Sequence, residues 1–146
     1  GALGVSQMKK INFLLDERKK AAALYDKHLS KIEWLNLPAA GKDYTHSYQS
    51  YVCMFMPEEI NEKNVEKISS KRNEFMMMLE REGAATRQGT HSVAHQQYYK
   101  KKYCLENSDC FNSKAAEMCT IAFPVYPGIS ENEIISVATI AEKYKP

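Results

Sequence analysis

Long apolar runs are missing from this sequence. No stretch approaches the ~20 consecutive apolar residues that a membrane helix needs, so no membrane partner is expected. No basic-then-apolar segment opens the chain, and the expected compartment is the cytoplasm. Glycine and proline are scarce, at 6 and 5 of 146 residues, which argues against a disordered or low-complexity chain. Charge of one sign is lacking too. The net charge is only +2, too little to imply a nucleic acid or another polyanion as partner. Of the four cysteines, Cys53, Cys104, Cys110 and Cys119, none forms a C-x-x-C pair. Without a secretion signal they read as reduced, partly buried thiols, not as a disulfide framework.

Motifs of chemistry are equally sparse. There is no G-x-S-x-G, no glycine-rich phosphate loop and no persuasive carboxylate pair, so no residue is assigned a catalytic role. His91 and His95 share one helix face, with Cys104 and Cys110 downstream, but C-x5-C is not a zinc-ligand spacing. No metal is expected.

What is present suits one folded domain over residues 1–146: 44% of the residues are hydrophobic and 26% charged. Residues 2 to about 30 show one long helical period through Met8, Ile11, Leu15, Ala22, Tyr25 and Leu29, broken only by Arg18. Such a helix spans roughly 40 Å. Its off-seam residues Leu3, Val5 and Leu14 need a cover of their own, and Gly1 to Met8 carry no N-cap signal. Residues 1–30 are therefore expected to bridge to a domain lying before this one.

After a loop at Leu35 to Asp43, His46–Met56 reads as a strand, Asn64–Glu82 as a helix and Ala84–Arg87 as a short strand. Ser92–Tyr103 and Ser113–Cys119 read as helices, and Thr120–Phe123 as a strand stopped by Pro124. Ser130 and Glu133 make a capping box for a final helix. The predicted fold is α+β: a small, mainly antiparallel sheet of about three strands packed with helices, over residues 31–146, preceded by the long helix.

Thr86-Arg87-Gln88-Gly89-Thr90-His91 places an arginine at a strand end and a histidine on the turn after it, a combination suited to an anion. Tyr98-Tyr99-Lys100-Lys101-Lys102-Tyr103 mixes bases with aromatics over too short a stretch for a stripe, and reads as a solvated helix face with buried rings. The alternative is a stand-alone interaction module that uses this basic, tyrosine-rich helix.

Four segments resemble the C-terminal domain of the DegT/StrS-type sugar aminotransferases, pyridoxal-phosphate enzymes of fold type I. They are Ala2-Leu3-Gly4-Val5-Ser6-Gln7-Met8, His46-Ser47-Tyr48-Gln49-Ser50-Tyr51-Val52, Leu79 to Arg87, and Phe123-Pro124-Val125-Tyr126-Pro127. Thr86-Arg87-x-Gly89-Thr90-His91 with Tyr98-Tyr99 is similar to the branch that aminates 4-keto sugars of the perosamine type, although Gln88 stands where that branch commonly has proline. The resemblance implies amino transfer, with glutamate as donor, to a nucleotide-linked keto sugar. It also implies that the Schiff-base lysine lies in a large N-terminal domain, so that pyridoxal phosphate belongs to the parent enzyme and is not expected on this chain. Arg87 and His91, then His46 and Tyr48, become the expected substrate contacts, and a homodimer the expected assembly.

Overall fold

The opening helix does not run straight through to residue 30. In the computed structural model, which describes residues 1–106 and 108–146, it divides into α1 (Ala2–Met8) and α2 (Ile11–Leu29). At the break Lys10 has φ −109° and its amide donates to the Gln7 carbonyl at 2.9 Å, a tighter turn than the helical one. No residue of α1 is buried, so no tertiary packing within this chain holds the two segments in line. Leu3 and Val5 stand exposed as expected; Leu14 is half-buried instead.

The sheet has four strands, one more than expected, in the order β1-β2-β4-β3 with every pairing antiparallel. The additional strand is β1 (Leu35–Asn36), which lies in the segment read as loop and pairs Leu35 with Phe55. β2 spans only Tyr51–Phe55, against the expected 46–56. Tyr48 has φ 47° and its amide donates to His46 Nδ1 at 2.9 Å, so a local bond replaces the ladder there. The partner strand also runs out, because Tyr51 pairs with Phe123 and the next residue is Pro124.

β2 alternates cleanly. Tyr51, Cys53 and Phe55 are fully buried, while Val52 and Met54 are half-buried. Helix α3 (Val65–Arg81) brings Ile68, Phe75 and Leu79 to the core, and Gly83, at φ 90°, ends it as expected. Trp34, Phe55, Phe75 and Tyr144 form an aromatic cluster with ring centroids 5.1 to 6.1 Å apart. The last helix, here α6 (Glu131–Glu142), starts on the expected capping box: Ser130 Oγ accepts from the Glu133 amide and Glu133 Oε2 accepts from the Ser130 amide at 2.8 Å. Its Ile134, Val137, Ala138 and Ala141 are buried against α2.

Between these lie β3 (Arg87–Gln88), a 3-10 turn (Val93–His95), α4 (Gln97–Tyr103), α5 (Phe111–Cys119) and β4 (Thr120–Phe123). The helix expected from Ser92 to Tyr103 is thus divided, because Gln96 is extended at ψ 136° and its side chain donates to the Ser92 carbonyl. β3 begins three residues later than read. All four cysteines are free; Cys53 and Cys119 are buried, Cys104 and Cys110 exposed. Among the described residues, no helix is long and apolar enough to cross a membrane.

Candidate functional site

β3 is an edge strand, as β1 is at the opposite side, and successive strand side chains point opposite ways, so Arg87 and Gln88 diverge. Arg87 is exposed and lines a cleft of about 330 Å³ with Gln49, Ser50, Phe123, Pro124 and Val125. Its guanidinium has no hydrogen bond or ion pair with another described residue.

The segment running into Gln49 and Ser50 carries two more expected site residues. The His46 and Tyr48 rings lie 4.4 Å apart, His46 exposed and Tyr48 half-buried. From Tyr48 the rings step inward, to Tyr51 at 6.3 Å and from Tyr51 to Tyr25 at 5.0 Å. Tyr51 Oη donates to Asp26 Oδ1 at 2.6 Å, and Tyr25 Oη donates to the Pro124 carbonyl at 2.9 Å. Both phenols are held well above their ordinary ionisation range, chiefly by burial, and Tyr51 additionally by its bond to Asp26. They are fixed hydrogen-bond donors that brace the floor under the cleft, not acids of a reaction.

His91 does not join this group. Its Nδ1 lies 3.2 Å from Gln88 Nε2 and 3.7 Å from Glu117 Oε1. Glu117 Oε2 accepts from the Ser92 amide at 3.3 Å. Ser92 is fully buried; its hydroxyl meets His95 Nδ1 at 2.7 Å and accepts from Ser113 Oγ at 2.8 Å. Of the four expected residues, only Arg87 lines the cleft; His46 and Tyr48 lie on the segment that leads to Gln49 and Ser50, and His91 belongs with the contacts to Gln88 and Glu117. Sequence reasoning missed Glu117, Ser92, Ser113 and Asp26. Glu117 lies 25 residues from Ser92, and no local pattern marks that pairing.

Neither buried thiol is a nucleophile. Burial pushes Cys53 far up, and it raises Cys119 to about 11 despite the nearby Arg72 guanidinium. Among the described residues, no three His, Cys, Asp or Glu side chains are grouped to hold a metal ion. A lysine that is to form an imine must be desolvated enough to shed its proton. No lysine here is buried, and Lys114, with 23% side-chain exposure, is paired to Glu66 at 3.0 Å. The lysines of this chain do not fit pyridoxal phosphate. What the cleft can do is bind an anion at Arg87 and position the group attached to it.

A profile described as the DegT/DnrJ/EryC1/StrS aminotransferase family matches residues 1–142. The chain is 26% identical over 136 residues to the spore coat polysaccharide biosynthesis protein SpsC of Bacillus subtilis, covering 93% of this chain and 33% of that protein. Among solved structures it is similar to DesV of S. venezuelae, with TM-score 0.79 and 15% identity, covering 99% of this chain and 36% of the other. PseC of Helicobacter pylori, an aminotransferase of pseudoaminic acid biosynthesis, aligns with TM-score 0.77 and 18% identity, over 97% and 35%. The chain spans about a third of the length of these relatives.

Proposed function

The chain belongs to the DegT/DnrJ/EryC1/StrS aminotransferase family, and on that premise we propose that it is the C-terminal small domain of a pyridoxal-phosphate aminotransferase. The parent enzyme moves an amino group from glutamate to a nucleotide-linked keto sugar of the perosamine type, in the making of a surface polysaccharide or amino sugar. The cofactor is held by the larger part of that protein and supplies the electron sink. This chain forms one wall of the substrate cleft, and residues 1–30 are its bridge to the cofactor domain.

The observation that supports the reading is the guanidinium of Arg87, without a partner among the described residues, on the cleft beside Gln49 and Ser50. Arginine offers a planar fork of donors that matches a phosphate or carboxylate, and charge-assisted bonds of this kind contribute roughly 1.5–3 kcal/mol. His46 and Tyr48 stand on the segment that leads into Gln49 and are assigned to substrate contact with Arg87, and His91, held beside Gln88 and Glu117, is assigned to it from the loop that follows β3.

In the full-length enzyme, Arg87→Ala should therefore raise KM for the nucleotide sugar about tenfold or more, while kcat changes less. Arg87→Lys should recover only part of the loss, because a point charge lacks the fork. An unchanged KM in both variants removes the assignment of Arg87. Failure of the full-length, cofactor-loaded protein to aminate any nucleotide-linked keto sugar removes the whole reading.

The same reading makes the enzyme a cytoplasmic homodimer. Leu3, Val5, Met8 and Phe13 are 75%, 65%, 62% and 58% exposed, apolar side chains that invite a cover. Light scattering on the 146-residue chain should show dimers or larger species. Monomer alone over a wide concentration range contradicts this.

A further inference from the structure

Helix α4 keeps its tyrosines outside, against expectation. None of its residues is buried, because a seven-residue helix packed mainly on the short turn before it turns no face to the core. The tyrosines that the core encloses completely are Tyr25 and Tyr51, and both end at the cleft.

The ladder between β2 and β4 stops at the pair Tyr51 and Phe123. Beyond it the two strands part, and the Arg87 cleft lies where they do. Gln49 and Ser50, leading into β2, form one wall; Pro124 and Val125, continuing β4, form the middle; Arg87 stands on the other wall. Arg87 is kept in place by the sheet, since β3 pairs it with Ala122. The opposite wall has no such support. Among the described residues, no backbone hydrogen bond joins Gln49 or Ser50 to Pro124 or Val125.

What reaches this end of the sheet is α2. Tyr51 Oη donates to Asp26 Oδ1 at 2.6 Å, so the residue next to Ser50 is tied to the helix. Tyr25 Oη donates the other way, to the Pro124 carbonyl at 2.9 Å, and supplies the partner that the ended ladder does not. The two rings stack at 5.0 Å with 29° between their planes, and the Tyr25 ring lies 5.8 Å from that of Phe123. A fully buried phenol that leaves its acceptor leaves an unsatisfied hydroxyl behind, so these ties are stiff.

We propose that Asp26 and Tyr25 are positioning residues for the substrate cleft: through Tyr51 and Pro124 they fix how far the wall of Gln49 and Ser50 stands from Arg87. The proposal rests on the function given above. It makes the spacing of the cleft a property of α2, the helix that belongs to the bridge of residues 1–30, and not of the sheet. A small anion needs Arg87 alone, whereas a ligand that spans the cleft needs both walls at the right separation.

The test is made in the full-length, cofactor-loaded enzyme. Tyr51→Phe, Tyr25→Phe and Asp26→Leu should each raise KM for the nucleotide-linked 4-keto sugar about fivefold or more, with kcat changed less. Asp26→Asn keeps an oxygen that accepts from Tyr51 and should recover most of the loss. Asp26→Leu with Tyr51→Phe should be no worse than either alone, because both remove the same bond. Inorganic pyrophosphate, added as a competitive inhibitor, should keep its inhibition constant within about twofold in these variants and lose its effect in Arg87→Ala. Tyr51→Phe and Tyr25→Phe each remove one oxygen and keep the ring packing. Ile68→Val, buried on α3, should lower the melting temperature and leave KM unchanged, which separates loss of stability from loss of position.

Tether variants that melt lower but keep the parent KM overturn the proposal, since the bonds then only hold the fold together. A pyrophosphate constant that weakens in step with KM overturns it too, because the bonds would then act on Arg87 and not on the wall spacing. If Arg87→Ala raises KM while the tether variants do not, the positioning role falls and the function stands. If Arg87→Ala also leaves KM unchanged, the anion site and the positioning role fall together.

Discussion

Gly89→Ala should cost about 2–3 kcal/mol of stability and lower the melting temperature by roughly 10 °C, an unusually large effect for one methyl group on a loop. The cause is space and not backbone conformation, because Gly89, unlike Gly83 and Gly128, does not sit at positive φ. A Cβ at this position lands on the Val52 Cγ1 methyl, and lies 2.6 Å from Thr120 Oγ1 and 2.8 Å from Thr120 Cβ. Thr120 cannot step aside freely: it is 6% exposed, pairs with Met54 in the sheet, and its hydroxyl bonds to the Ala116 carbonyl. The loop must move instead. That movement carries Gln88 and His91 away from Glu117, and Arg87 away from the wall formed by Gln49 and Ser50.

Stability and anion binding at Arg87 should accordingly fall together in Gly89→Ala. If the Val52 methyl is a main cause, Val52→Ala in the same chain should restore part of the lost stability, a coupling that two distant substitutions would not show. Thermal melts and pyrophosphate titrations of the two single variants and the double variant decide it. A Gly89→Ala chain melting within 2 °C or so of the parent chain contradicts the close approach.

Gly89 also shows where the sequence was readable. Its place as the residue that lets the chain turn after the Thr-Arg motif was visible, but the crowding by Val52 and Thr120 was not, since those residues come from two other strands. The same division runs through the whole fold. The capping box at Ser130 and Glu133, the stop at Gly83 and the strand ending before Pro124 are written in neighbouring residues, and each stands as expected.

Features decided by distant partners were hidden. Arg72, on the core-facing side of α3, is 3% exposed and donates from Nε to the Met118 carbonyl at 3.0 Å, placing a cation at the end of α5. Nothing near Arg72 in sequence announces that. Tyr48 leaves the strand because of a bond to His46, although the alternation there favours extension. Arg87 was singled out because an arginine at a strand end carries its chemistry in its identity, and the structure leaves it exposed on a cleft. Glu117, which anchors the loop beside it, was not found, because a glutamate on a helix more often faces water.

Raising the pH from 8 to 11 should remove on the order of 5 kcal/mol of folding stability, enough to unfold a domain whose whole margin is roughly 5–15 kcal/mol. Four acids are fully buried: Tyr25, Tyr51, Cys53 and Cys119. Burial is the first cause of the upward shift in each; the bond to Asp26 adds to it at Tyr51, and Arg72 partly opposes it at Cys119, which reaches about 11. In the unfolded chain these groups lose their protons near ~8.5 for cysteine and ~10 for tyrosine. Above those values the native state binds more protons than the unfolded one, so stability decreases as the pH climbs. Below pH ~8 both states are protonated and the full contribution is present.

Each group costs up to about 1.4 kcal/mol per pH unit within its own window. The cysteines act first, from about pH 9, and the tyrosines join near pH 10. Cys53→Ala with Cys119→Ala should therefore flatten the first part of the decline, even though the double variant begins from a lower stability at pH 8 because of the volume it loses. Urea unfolding at half-unit steps from pH 8 to 11, read as stability and not as midpoint alone, measures both slopes. A flat profile through pH 10.5 in the parent chain, or an identical slope in the double variant, would mean that the buried thiols and phenols are not what hold the protons.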